Sequence, residues 1–231
     1  MIKRKWPAWG LALAGVVLVL ALALAGAEQM FARSDKVPVE DLQVSAELQG
    51  SALVCQTFIT RYPGLSQIRI RLATFSRDNS GTGVAHLRAA PQDAEDLYTW
   101  TIDTSLVQDN AFQAFDLVPP LAGEGQTLSV CLAAPDAEPG NAIGIWGTRQ
   151  NAYERGTAIP EGMPAAGISD LVFELWYRVP VTRAFPVVAN RLAEAKPVWW
   201  GQTWFYLGLG GAFVLLLGLL FYACIDGLHR V

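Results

Sequence analysis

The two ends of this chain constrain it most. From Trp6 to Ala27, 22 residues carry no charge, and at about 1.5 Å per residue they reach about 33 Å, enough to cross a hydrocarbon core of about 30 Å. A second uncharged run extends from Val198 to Ile225 and opens with Trp199, Trp200 and Trp204, where an interfacial aromatic belt would sit. Two transmembrane helices are therefore expected, over residues 6–27 and 198–225. The rival reading of the first run is a cleaved secretory signal, since Lys3, Arg4 and Lys5 form a basic start and Ala25-Gly26-Ala27 resembles a cleavage site. Its apolar stretch is longer than a usual signal core, which favours a retained span.

Basic residues mark the cytoplasmic side. The tail 1–5 and the tail 226–231, with His229 and Arg230, then face the cytoplasm, and residues 28–198 lie outside a bacterial cytoplasmic membrane. Small residues recur at four-residue spacing: Gly10, Ala14, Ala21 and Ala25 in the first run, Gly208 and Ala212 in the second. Such spacing lets helices pack closely, although Gly and Ala are common in membrane helices anyway. Neither run holds an ionisable group in its interior, which argues against a proton relay or ion path.

Between the ends the expected organisation is an extended arm at 28–48, a β-sandwich at 49–180 and a membrane-proximal linker at 181–197. Period-two alternation carries this reading. Ile68, Ile70 and Leu72 alternate with Gln67, Arg69 and Arg71; Tyr98, Trp100 and Ile102 with Thr99, Thr101 and Asp103; Leu128, Val130 and Leu132 with Thr127, Ser129 and Cys131. Leu171 to Tyr177 alternates likewise. With Leu53–Thr60, Val84–Arg88, Phe112–Leu117 and Ala142–Trp146 the count is about eight strands, separated by turns rich in Gly, Pro, Asn and Asp. The expected fold class is an all-β, jelly-roll-like sandwich flanked by two transmembrane helices. A short surface helix is expected over Val187–Ala195, and Gly147–Ser169 reads as an end loop whose Arg149, Tyr153 and Arg155 are weak ligand candidates.

From Glu28 to Lys196 there are 13 Lys and Arg against 20 Asp and Glu, a net of −7. That disfavours nucleic acid and anionic lipid as partners. No cysteine belongs to a CxxC or CxxCH pattern, which removes the common haem, zinc and thioredoxin readings, and no cofactor is expected. Cys55 and Cys131 fall in expected strands on the oxidising side, where they are either a disulfide or two small buried thiols. Cys224 lies apart, at the cytoplasmic boundary. His86, the one histidine outside the C-terminal boundary, sits within a strand and reads as structural. Asp93, Glu95 and Asp96 form a solvated acidic loop that supplies only part of a calcium shell. Trp146, Tyr153 and Trp176 either stack on sugar rings or fill the core.

Several strings look familiar together: Gln56-Thr57-Phe58, Pro63-Gly64-Leu65, Leu72-Ala73-Thr74, Asp109-Asn110-Ala111-Phe112, Pro135-Asp136-Ala137, Pro139-Gly140-Asn141-Ala142 and Asp170-Leu171-Val172-Phe173. Over residues 50–180 they resemble an extracytoplasmic, galactose-binding-like jelly-roll module of bacterial membrane proteins. Two-helix proteins of this kind are also similar to accessory subunits of energy-transducing assemblies such as alternative complex III. The resemblance implies a non-enzymatic structural subunit whose partners are other integral membrane subunits. The alternative is a membrane-tethered carbohydrate- or envelope-binding module.

Overall fold

The computed structural model describes residues 29–36, 41–45, 47–162, 167–180, 198–228 and six positions between 186 and 196. The first expected span, with Gly10, Ala14, Ala21 and Ala25, lies outside the described residues. Two compact units are present: residues 31–178, and residues 1–30 with 179–231.

The larger unit is built of two antiparallel sheets. In chain order the strands are β1 (Gln29–Lys36), β2 (Leu42–Val44), β3 (Leu53–Ile59), β4 (Leu65–Ala73), β5 (Thr82–Arg88) and β6 (Tyr98–Asp103). They continue as β7 (Phe112–Leu121), β8 (Thr127–Ala133), β9 (Gly144–Thr148), β10 (Ala158–Glu161), β11 (Asp170–Leu171) and β12 (Phe173–Pro180). One sheet runs β1-β12-β4-β9-β11, with β7 also paired to β4 and β2 to β9; the other runs β10-β3-β8-β5-β6. The alternation read from the sequence becomes the two faces of each strand, because successive side chains point to opposite sides. Ile68, Ile70 and Leu72 of β4, with Phe173, Leu175 and Tyr177 of β12, are fully buried, as are Phe58, Leu87, Val130 and Leu132 from the other sheet. Phe58 and Phe173 bring the sheets together with ring centroids 6.2 Å apart.

All eight expected strands are present, but the arm and the end loop are corrected. Residues 28–48 carry β1 and β2, and β2 pairs Leu42 with Thr148, Gln43 with Gly147 and Val44 with Trp146. Within Gly147–Ser169, β10 pairs with β3 from Ala158↔Gln56 to Glu161↔Leu53. These strands have three to eight residues and take their backbone partners from distant segments, so their own sequences carry no clear period.

Gly64 shows how local sequence serves the sheet. It sits at φ +89°, and an added Cβ would lie 2.4 Å from the carbonyl oxygen of Arg178. Its N–H donates to Leu121 O at 2.8 Å, and its carbonyl accepts from Arg178 N at 2.8 Å, so neither side is free to retreat. A Gly64→Ala substitution adds left-handed strain to a backbone clash and is expected to cost about 2–3 kcal/mol. Urea unfolding checks this; a loss below about 0.5 kcal/mol means that the β4–β12 start yields.

In the smaller unit, Pro186, Ala189, Asn190, Leu192 and Ala193 are helical, within and just before the stretch expected to form a short helix. The second apolar run does not start as one helix. Val198–Gly201 forms a 3-10 turn, and the C-terminal helix runs Thr203–Leu228, 26 residues. Thr203 Oγ1 donates to Asn190 Oδ1 at 2.6 Å, which ties the helix start to the preceding helical segment.

Candidate functional site

The outward face of the seven-stranded sheet combines cations with aromatic rings. Because Ile68, Ile70 and Leu72 point inward, Gln67, Arg69 and Arg71 must project from the other side of β4. Register then decides their neighbours: Arg69 lies opposite Glu174 of β12 and Ala114 of β7, and Arg71 lies opposite Phe112 of β7. The guanidinium carbon of Arg69 stands 4.3 Å from the centre of the Trp176 ring, and that of Arg71 stands 5.1 Å from the Trp146 ring. Both are cation-π stacks.

Asn110 locks the second stack. It occupies φ +59°, a conformation Asn tolerates better than most residues. Its carbonyl accepts from Arg71 Nε at 2.9 Å, while its side-chain oxygen accepts from Trp146 Nε1 at 2.8 Å. The first stack is held differently. Arg69 Nε donates to Gln67 Oε1 at 2.5 Å, and Gln67 Nε2 donates to Asp116 Oδ1 at 2.6 Å. Trp176 Nε1 donates to Glu174 Oε2 at 3.0 Å. The Nε atoms of both arginines are thus satisfied within the protein. Among the described residues, neither arginine donates a hydrogen bond from its terminal nitrogens or has a carboxylate within ion-pair distance.

A second polar cluster lies on the outer side of the five-stranded sheet. Asp96 accepts from Arg88 Nε at 2.6 Å and Thr99 Oγ1 at 3.0 Å, and its other contact is His86 Nδ1 at 2.6 Å. Burial pushes its carboxyl upward, but the hydrogen bonds from Arg88, His86 and Thr99 outweigh that and hold its pKa down at about 2, against an ordinary 3.8. Asp93 is also used, accepting the Ala90 N–H at 2.8 Å. The acidic loop is therefore partly tied down rather than merely solvated. Among the described residues no group of His, Cys, Asp and Glu is arranged to hold a metal ion.

The Asp96 cluster has a defined pH signature. A carboxylate with a depressed folded pKa stabilises the fold above its unfolded value, and that contribution disappears as pH falls through the folded value. Its share, discounted for solvent, is about 1 kcal/mol, present above about pH 4 and lost towards pH 2. Asp96→Asn should flatten the acid limb of stability against pH in urea titrations. An unchanged limb assigns the protons elsewhere.

The loop candidates separate. Tyr153 is buried, packs edge-on against Phe173 with centroids 5.1 Å apart, and accepts the Ile59 N–H on its hydroxyl at 3.3 Å. It packs as a core residue. Arg149 is exposed and donates from Nε to Gln43 Oε1 at 2.8 Å, whereas Arg155 lies in the turn closed by Gly156 N to Tyr153 O at 3.2 Å. Of the aromatic candidates, Trp146 and Trp176 reach the outer face. The arginines beneath them were visible as polar positions of the β4 alternation, but only strand register joins them to the tryptophans.

Cys55 and Cys131 lie directly opposite each other on β3 and β8, with Cα atoms 3.9 Å apart, and form a disulfide that is fully buried. On the C-terminal helix, Trp204, Leu209, Phe213, Leu215, Leu216 and Leu219 are all exposed, as is Trp200 in the preceding turn. Gly208 faces open space: an added Cβ would meet nothing within 4 Å, and the same holds at Gly211 and Gly218. Ala189 and Leu192 line an apolar groove of about 500 Å³ with Leu209, Ala212, Phe213 and Leu216. Among the described residues no helix is long and apolar enough to cross a membrane. Many side chains in the second half of the C-terminal helix, Cys224 included, lie outside those described.

No family model and no curated protein matches the chain. Among solved structures the chain is similar to a family two carbohydrate esterase from Cellvibrio japonicus, at 13% identity and a TM-score of 0.26, over 65% of this chain and 36% of that one. A likeness at that score carries no argument about fold or activity.

Proposed function

We propose that this chain is a non-catalytic accessory subunit of a bacterial membrane complex, holding its β-sandwich against the extracytoplasmic face of integral membrane partners. The observation that carries the reading is the C-terminal helix. Leu209, Phe213 and Leu216 follow one helical face, while Leu215 and Leu219 follow another, and all are exposed. A helix apolar on every side is stable only where lipid or other protein surrounds it. At about 1.5 Å per residue the 26 residues of Thr203–Leu228 reach about 39 Å in length.

Exposed Trp200 and Trp204 then occupy the interfacial belt, and the open faces at Gly208 and Ala212 accept a neighbouring helix closely. The Cys55–Cys131 disulfide suits an oxidising, extracytoplasmic compartment. The basic N-terminus favours a topology with both tails in the cytoplasm.

The test is purification of the full chain from native membranes in mild detergent. Stoichiometric integral membrane subunits should accompany it, and Gly208→Leu with Ala212→Leu should release them while the sandwich still melts cooperatively. A chain that migrates alone and monodisperse from every mild detergent overturns the accessory role. Extraction of the chain by alkaline carbonate overturns the membrane anchoring.

A further inference from the structure

The strongest unassigned feature is the arginine pair on the outer face of β4, and we propose that it is a binding site for an anionic sugar residue of an acidic glycan. It goes beyond the accessory role and does not depend on it. Its components are Arg69 and Arg71, the rings of Trp176 and Trp146 stacked on them, Asn110 and Phe112.

Both arginines are pre-positioned. Each guanidinium is fixed by one ring face and one Nε hydrogen bond, to Gln67 for Arg69 and to Asn110 for Arg71. Their terminal nitrogens donate no hydrogen bond within the protein among the described residues. Residues two apart on a strand are separated by about 7 Å, close enough for the two long side chains to converge on one carboxylate or sulfate. Holding a charged fork in place beforehand lowers the ordering cost of binding.

The neighbouring acids do not cancel this charge by direct pairing. Asp116 reaches Arg69 only through Gln67, and Glu174 is buried and accepts from Trp176 Nε1. Phe112, opposite Arg71 in register, leaves much of its ring exposed, with 39% relative exposure. An anion beside an exposed aromatic ring matches a charged pyranose, whose C–H face packs on the ring while its charged group meets the forks. A polyanion recognised by charge alone fits less well, because the domain as a whole carries −7 between Glu28 and Lys196.

The full chain in nanodiscs should be titrated calorimetrically with hexagalacturonate, its full methyl ester, a sulfated neutral hexasaccharide, hexaglutamate and a single-stranded hexanucleotide. Binding of the uronate or of the sulfated sugar is expected, and the two arms identify which anion is preferred. The methyl ester should bind at least tenfold more weakly. Arg71→Gln and Arg69→Gln should each lower affinity at least tenfold, and Arg71→Lys, which keeps charge but loses the fork, should fall between.

The melting temperature of each variant separates lost binding from lost folding, and Arg71→Lys serves if the glutamine variant unfolds. Four results each overturn the proposal: no binding of either acidic sugar at millimolar concentration, equal binding of the methyl ester, equal binding of hexaglutamate or the oligonucleotide, or folded arginine variants with unchanged affinity.

Discussion

Replacing Cys55 and Cys131 together with alanine should destabilise the sandwich by about 4 kcal/mol, the largest single effect expected here. The bond closes a loop across a sequence separation of 76 residues, so its loss returns that much freedom to the unfolded chain. The folded state changes little, since seven residue pairs from Leu53↔Ala133 to Ile59↔Thr127 still join β3 to β8. Urea unfolding should therefore show a lower midpoint together with a larger denaturant slope, as a less constrained unfolded state exposes more surface. A lower midpoint with an unchanged slope places the effect in the folded state instead. No change in either means that the bond is redundant with the strand pairing.

Gln56→Leu should cost about 3 kcal/mol, for a different reason. Gln56 is fully buried on β3, yet it is hydrogen-bonded to the other sheet: its Oε1 accepts Leu171 N at 2.7 Å, and its Nε2 donates to Asp170 Oδ1 at 3.3 Å. Asp170 is also fully buried and accepts the Tyr153 N–H at 2.9 Å. Leucine fills the space but leaves the Leu171 N–H without a partner and removes a donor from a buried carboxylate. Each such loss costs about 1–3 kcal/mol.

Burial raises the Asp170 pKa, and the hydrogen bonds from Tyr153 and Gln56 oppose that rise without reversing it. A raised folded pKa means that the native state holds the proton more firmly, so this group favours folding most below the ordinary 3.8 and less as pH rises through the folded value. Removing a Gln56 donor raises that value further. The penalty of Gln56→Leu should accordingly be larger at pH 8 than at pH 4, measured by urea midpoints. Asp170→Asn, which removes the charge, should abolish the difference. An equal penalty at both pH values would show that Gln56 does not govern the ionisation of Asp170.

How much of this could be read from the chain differs by element. β4 was legible because Leu65–Ala73 is long enough for alternation to appear, with one side facing a core. β2, three residues, and β10, four, have no room for a period, and β10 contains Pro160. Tyr153 looked like a loop aromatic because its surroundings are polar and rich in Gly and Pro. Only the return of the loop over Phe173 buries it. The site on β4 was half visible: Arg69 and Arg71 were plainly outward, but nothing near them in sequence indicates that Trp146 and Trp176, 75 and 107 residues further on, supply the rings.

By itself the sequence determined the properties that repeat locally: apolar ends without charge, strands of period two, turns where Gly, Pro, Asn and Asp cluster, and the acidic balance of the middle. These depend on single side chains and near neighbours, which the order of residues states directly. The tertiary structure alone decided the Cys55–Cys131 pairing, the buried Gln56–Asp170 link and the arginine–tryptophan stacks. Each depends on which strand lies beside which and in what register, and a shift of one residue would turn every side chain of a strand to the other face. The second apolar run is largely helical, but its helix starts at Thr203, after the turn Val198–Gly201, because the start is set by contacts such as Thr203 with Asn190 and not by hydropathy.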